Sequence, residues 1–258
     1  NEAYPRLSAV RAIRSDLGLA HFGPVTSMET ANLVIDAITS VIPLRTCTAK
    51  LSATKPSSSC ALADMGRCSA PCELRISTQD YATFVQDLLS ALAGSPLIED
   101  SLNAKISGYA EQERYEEAAV IRDRLHAWLS TMARHQRLQS FSRIEQIVAV
   151  AQNQKSEWEV HVIRYGALAA AAITDDVSNV QNIAAVAEQT AQVFAVSAHP
   201  APANTISEAH LLLKWCEQSG VRLLSMSDSW HSAWPNQLKY RSDIEQLAQA
   251  RMTSSLVV

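Results

Sequence analysis

Four of the five cysteines in this 258-residue chain, Cys47, Cys60, Cys68 and Cys72, fall within 26 residues, while Cys216 stands alone. The stretch that holds the four, from Arg45 to Cys72, has no hydrophobic periodicity and includes the run Lys55-Pro56-Ser57-Ser58-Ser59. Such a segment buries too little apolar surface to order itself, so something other than a core has to hold it. Where disulfides are kept reduced, close cysteines point first to a bound metal. The spacing C-x12-C-x7-C-x3-C offers four soft thiolates, which suit zinc or an iron-sulfur cluster, and the spacing alone leaves both open. Its C-x3-C pair lacks the two-residue spacing common in zinc sites. Cys216, at the end of Leu211-Leu212-Leu213-Lys214-Trp215-Cys216, reads as a buried helix residue.

An apolar fraction of 47% is enough for one large domain or two to three small ones. The net charge of -4 speaks against a surface coated in positive charge but allows a local basic stripe. Arg6, Arg11, Arg14, Arg45, Lys50, Lys55 and Arg67 gather in the N-terminal third, either as a phosphate-facing set or as solvated surface. No apolar run approaches the roughly 18 residues of a membrane span, and no signal sequence opens the chain. A cytoplasmic protein without a membrane segment is expected. The chain begins at Asn1 and enters a patterned segment at once, which reads as a piece of something longer.

Tyr4 to Ile13 reads as a strand or short helix ending at Gly18. Ser27 caps a predicted helix over residues 28–41, which Pro43 stops. Ser77 and Asp80 form an acidic capping box, with Tyr81, Phe84, Val85 and Leu88 or Leu89 facing inward until Gly94-Ser95-Pro96. Residues 97–139 then read as a helical hairpin. Its first arm buries Ile98, Leu102 and Ile106, and its second Tyr115, Ala118, Ala119, Ile121, Leu125 and Leu129. Beyond residue 140, Trp158, Val160 and Val162 alternate with Glu159 and His161, Tyr165-Gly166 supplies a turn, and Ala167 to Ile173 returns as a second strand. Helices at about 178–196 and 206–218, a strand from Val221 to Met226 and a last helix at Ser242-Asp243-Ile244-Glu245 complete the pattern. The fold class is α+β in several parts, ending in a small α/β domain.

Phe22-Gly23-Pro24, Pro43-Leu44-Arg45-Thr46-Cys47 and Gly66-Arg67-Cys68-Ser69-Ala70-Pro71-Cys72 resemble, in order and spacing, consecutive motifs of the UvrC family. The resemblance implies four parts: the trailing edge of a GIY-YIG nuclease domain (1–26), a helix with a cysteine-rich metal-binding region (27–96), a hairpin like the UVR motif (97–140), and a small α/β domain of unknown role (141–258). It also implies that Cys47, Cys60, Cys68 and Cys72 ligate an iron-sulfur cluster, with zinc the alternative. Taken bare, Tyr115-Glu116-Glu117-Ala118-Ala119-Val120-Ile121-Arg122-Asp123 is a surface helix with ion pairs Glu111–Arg114 and Arg114–Glu117. It resembles the UVR motif, which pairs with the same motif in the UvrB helicase subunit. Tyr115, Glu116, Ala118, Ala119, Arg122 and Asp123 would then form the contact, with Tyr115 and Ile121 as apolar anchors. DNA is the other implied partner, through Arg6, Arg11, Arg45 and Arg67.

No GIY or YIG string occurs in the chain, so no catalytic residue is assigned. The resemblance implies a longer GIY-YIG endonuclease of nucleotide excision repair, whose divalent metal belongs to a nuclease domain outside this sequence. The layout also resembles actinobacterial proteins in which a DEDD-type exonuclease precedes the UvrC-like region. Residues 141–258 do not fit the RNase-H-like and helix-hairpin-helix parts of standard UvrC. Asp175, Asp176 and Asp228 read as turn or cap residues, His199, His210 and His231 as surface, and Trp230 and Trp234 as packing over a core edge. The alternative function is a metal-stapled protein-interaction scaffold without a nuclease role.

Overall fold

Serine hydroxyls open two of the helices. Ser27 accepts from the Thr30 amide at 3.0 Å, starting α1 (Met28–Thr39), which ends before Pro43 is reached. Ser77 accepts from the Asp80 amide at 3.0 Å and donates to Asp80 Oδ2 at 2.7 Å, starting α3 (Thr78–Leu92). Between them lies only the one-turn α2 (Ala61–Asp64), as the aperiodic cysteine stretch leads one to expect. Two long helices follow, α4 (Leu97–Glu111) and α5 (Tyr115–Arg143). This computed structural model describes residues 2–10, 22–194, 205–230 and Glu245. Arg11, His199, His231, Trp234 and the start of the expected last helix at Ser242 lie outside the described residues.

The chain divides into two compact units, the first running to Ala133 and the second from Arg134. The division falls inside α5, rather than at residue 141. In the first unit α4 packs against α1 and α3. Trp128, fully buried in α5, donates from its indole Nε1 to Glu99 Oε1 at 2.9 Å, near the start of α4, so the two helices run antiparallel as the hairpin pattern predicts. The inner face of α3 is narrower than expected. Tyr81 and Ala91 are buried, Phe84, Val85 and Leu88 are half-buried, and Leu89 is exposed. Residues 2–10 form neither strand nor helix. They are held by a bond from the Leu7 amide to the Arg45 carbonyl at 3.0 Å and by an edge contact of the Tyr4 ring on Tyr81.

The second unit is built on an antiparallel sheet in the order β3-β2-β1-β4. Its strands are β1 (Ile147–Gln152), β2 (Trp158–Arg164), β3 (Ala167–Thr174) and β4 (Arg222–Met226). The hairpin between β2 and β3 turns at Tyr165-Gly166, both at positive φ (50° and 76°), which is the left-handed pair that a tight two-residue turn requires. One sheet face packs Ile147, Ala149 and Ile163 with Leu138 and Phe141 of α5 and with Ala209, Leu212 and Leu213 of α7 (Ile206–Cys216). The other packs Val148, Val150, Val160 and Val162 with Val180, Ala184 and Ala187 of α6 (Val180–Thr190). Strand β1 escaped the sequence reading because it is covered on both faces: Ile147-Val148-Ala149-Val150-Ala151 shows no alternation.

Helix α6 ends at Thr190, short of the expected 196. The Arg164 guanidinium closes this end, donating to the carbonyls of Glu188, Ala191 and Gln192 at 3.2, 3.1 and 3.2 Å, and to Gln146 Oε1 at 2.9 Å. Thr205 caps α7, and the Glu208 carboxylate accepts from the Leu168 amide at 2.9 Å, tying α7 to edge strand β3. Asp176 accepts from the Ser178 amide, and Asp175 is exposed, in keeping with turn and cap roles. Trp230 packs on Phe141 with ring centroids 5.5 Å apart, and His210 is exposed on α7. Among the described residues no helix is long and apolar enough to cross a membrane.

Cys216, the last residue of α7, is half-buried against the core, and burial, then the nearby Glu217 charge, pushes its thiol up to about 12. Thiolate is the reactive form, so at pH 8 alkylation of Cys216 in the folded chain is expected to run about a thousandfold slower than in the urea-unfolded chain. Mass spectrometry of timed iodoacetamide reactions reads both rates. A difference below tenfold would mean that Cys216 is not held in this environment.

Candidate functional site

The cysteine loop is anchored at both ends before any ligand is considered. The Ser69 amide donates to the Pro43 carbonyl at 3.0 Å and the Ser57 amide to the Cys72 carbonyl at 2.7 Å. The Ser59 amide reaches Glu73 Oε1 at 3.1 Å, and Arg75 pairs with the other oxygen of that carboxylate at 2.6 Å. Ala70 (φ 50°) and Leu74 (φ 58°) adopt the left-handed conformation on either side of the 3-10 turn Pro71–Glu73. This is a costly conformation for residues with a Cβ, and the surrounding hydrogen bonds sustain it.

All four clustered cysteines are free thiols; Cys47, Cys68 and Cys72 are half-buried and Cys60 is exposed. Burial raises the Cys68 pKa, a hydrogen bond with the Ala70 backbone opposes that rise, and the charges of Cys47, Cys60 and Cys72 each add to it. The other three sulfurs therefore all act on Cys68 across the site. Among the described residues, no three His, Cys, Asp or Glu side chains stand in the geometry of a bound metal ion. Four free thiols on one loop without a core of its own fit a thiolate-bound metal group in donor chemistry.

The arginines expected to face DNA separate into different roles. Arg45 is only 1% exposed and cannot reach a phosphate. Its guanidinium is instead spent inside the protein, on the Tyr4 carbonyl (2.7 Å), the Ala49 carbonyl (2.7 Å), the Cys47 carbonyl and sulfur (3.3 and 3.5 Å) and Glu2 (2.6 Å). Its amide donates to the Tyr81 hydroxyl, which donates in turn to the Pro5 carbonyl. Tyr81 stays a neutral phenol, pushed up to about 12 chiefly by burial. Arg67 pairs with Asp36 of α1 and donates to Thr39, while Arg124 of α5 approaches the same carboxylate at 3.7 Å. Arg67 thus ties the cysteine motif to α1. Arg6, Lys50 and Lys55 are exposed. Arg11 lies outside the described residues.

Along the start of α5, Tyr115 (67% exposed) and Glu116 face solvent, and Ala119 is half-buried. Ala118 is buried and Ile121 is only 6% exposed, so both pack into their own unit. That corrects the expectation of Ile121 as an anchor and of Ala118 as a point of close approach. Val120, 50% exposed, is the apolar residue that the sequence reading passed over. Its place one turn after the exposed Glu116 on the helix face was the available signal. Arg122 and Asp123 pair with each other at 3.4 Å and are half-buried. Arg114 meets Glu117 at 2.8 Å as expected, but lies 4.7 Å over the Tyr109 ring rather than on Glu111, because residues 112–114 have left the helix.

Residues 1–91 match the family of the UvrC/Cho excinuclease middle domain. In these residues the chain is similar to UvrC. Among curated relatives, the UvrABC system protein C of Syntrophus aciditrophicus (strain SB) is 41% identical over 138 residues, 52% of this chain and 22% of that protein. That of Dictyoglomus thermophilum is 30% identical over 170 residues, covering 65% and 28% respectively. A Mycobacterium tuberculosis (strain CDC 1551 / Oshkosh) protein named as a bifunctional exonuclease/endonuclease is 27% identical over 234 residues, 88% of this chain and 35% of its own length. The chain thus spans about a third or less of the relatives it matches. The match over 88% of the chain necessarily takes in most of the second unit, for which the motifs alone gave only a likeness of layout. No solved structure matches the chain.

Proposed function

We propose that this chain is a non-catalytic part of a UvrC-like DNA-repair endonuclease. Its cysteine loop carries an iron-sulfur cluster, and α5 docks a UvrB-like helicase subunit while exposed basic residues meet DNA. The observation that carries the docking role is the outward face of α5. Tyr115, Glu116, Ala119 and Val120 present an aromatic, a carboxylate, a small residue and a branched apolar side chain at the start of α5, next to the turn of the antiparallel hairpin. Such a strip suits helix-to-helix pairing through a central aromatic anchor. The whole protein's nuclease chemistry lies with residues that this sequence does not contain.

Binding of the chain to a purified UvrB-like helicase, followed by fluorescence anisotropy, tests the reading. Tyr115→Ala is expected to weaken it at least tenfold, a loss of about 1.4 kcal/mol, with the fold unchanged by circular dichroism. Failure of the intact chain to bind would sink the docking role. For DNA, Arg6→Ala is expected to lower the salt slope of binding by about one. A metal-stapled interaction scaffold is the second reading. The burial of Arg45 and the internal pairing of Arg67 favour it, because they remove two of the four expected phosphate contacts. Helicase binding with no salt-dependent DNA binding would select it.

A further inference from the structure

Arg45 is the most heavily committed polar side chain at the cysteine loop, and a DNA contact does not explain it. A guanidinium that is 1% exposed carries a high desolvation cost, recovered only where its donors are met. Here every nitrogen has an acceptor: Nε the Tyr4 carbonyl, Nη1 the Cys47 carbonyl, the Cys47 sulfur and the Ala49 carbonyl, and Nη2 the Glu2 carboxylate. The backbone of Arg45 is itself fixed, its amide by the Tyr81 hydroxyl and its carbonyl by the Leu7 amide. One of the four clustered cysteines is thus gripped at carbonyl and sulfur by the same fork, and the backbone that carries the fork is bound to the hydroxyl of the buried Tyr81. Among the described residues the only carboxylate on it, Glu2, is half-exposed, so the positive charge is weakly compensated there.

We infer that Arg45 is a positioning residue for the metal group of the cysteine loop, orienting Cys47 as a ligand and placing a buried positive charge beside it. The inference rests on the proposed iron-sulfur cluster. A hydrogen bond to a ligand sulfur and a nearby cation both stabilise the reduced, more negative state of such a group, and so raise its potential. The guanidinium supplies both through Nη1. Arginine suits the task because its planar fork meets the sulfur, three carbonyls and a carboxylate at once, more acceptors than the three N–H groups of an ammonium can serve.

The test uses the chain purified anaerobically, with iron and sulfide content, midpoint potential and the rate of iron release to a ferrous chelator measured on each variant. Arg45→Gln is expected to lower the midpoint by at least about 59 mV, a tenfold change for a one-electron couple, and to speed iron release at least tenfold. Glu2→Gln, at a half-exposed position, leaves the guanidinium less compensated and is expected to raise the midpoint. Arg45→Lys should recover part of the potential but little of the retention. Opposite shifts from the two Gln variants are the signature of an electrostatic role, which a structural role would not produce. Should Arg45→Gln fail to fold, Glu2→Gln decides by itself: an unchanged midpoint overturns the inference. A loaded and folded Arg45→Gln with unchanged potential and release also overturns it. Wild-type protein without iron or sulfide overturns instead the cluster reading on which the inference rests.

Discussion

Replacing Trp128 with alanine is expected to destabilise the first unit by about 3–5 kcal/mol, enough to unfold a domain of ordinary stability. Two losses combine. The indole is fully buried in α5, its ring 5.3 Å from that of Phe22, so its removal opens a cavity that the rigid hairpin cannot collapse. The same change takes away the N–H that donates to the buried Glu99 carboxylate at 2.9 Å. Trp128→Phe separates the two, keeping most of the ring and costing about 1–3 kcal/mol for the lost donor. Hydrogen exchange resolved by residue measures this directly, with amides of α3 and α4 losing protection. A loss below about 1 kcal/mol in the alanine variant would mean that the hairpin is not the core of this unit.

Cys68→Ala is expected to reduce bound metal to background, while Cys216→Ala leaves it unchanged. Cys68 is half-buried in the cysteine loop, and its neighbour Ser69 is tied by its amide to the Pro43 carbonyl at 3.0 Å. Cys216 belongs to α7 and the core of the second unit. Loss of metal should also loosen the loop, because residues 50–58 are almost wholly exposed and little apolar material anchors them. Protease cutting within residues 50–60, rapid in Cys68→Ala and slow in the wild type, is the accompanying sign. Metal content unaffected by Cys68→Ala would remove the cysteine cluster from consideration as the site.

Local chemistry made much of this fold legible. The hydroxyls of Ser27, Ser77 and Thr205 start helices where capping predicts, and the alternation of Trp158, Val160 and Val162 marks β2 correctly. What failed was whatever depends on the environment on both sides of a residue. Strand β1 has no polar face to reveal its period, since a helix covers each side of the sheet. Arg45 looked like a surface cation because charge is usually solvated, and only the folded chain shows five acceptors converging on it. In α5 the mixed pattern did not separate Ile121, turned inward, from Val120, turned outward. The cysteine spacing suggested a donor set, whereas the path of the loop that carries it depends on backbone bonds such as Ser57 to Cys72 that no local pattern encodes.

The role proposed for the chain depends on what the four clustered thiols hold. Anaerobic purification of the chain, followed by an absorbance spectrum and quantification of iron, acid-labile sulfide and zinc, measures it most directly. Iron and sulfide in near-stoichiometric amounts for one cluster per chain, with broad visible absorbance that bleaches on reduction, is the predicted result. Zinc in place of iron, or no metal at all, would contradict it.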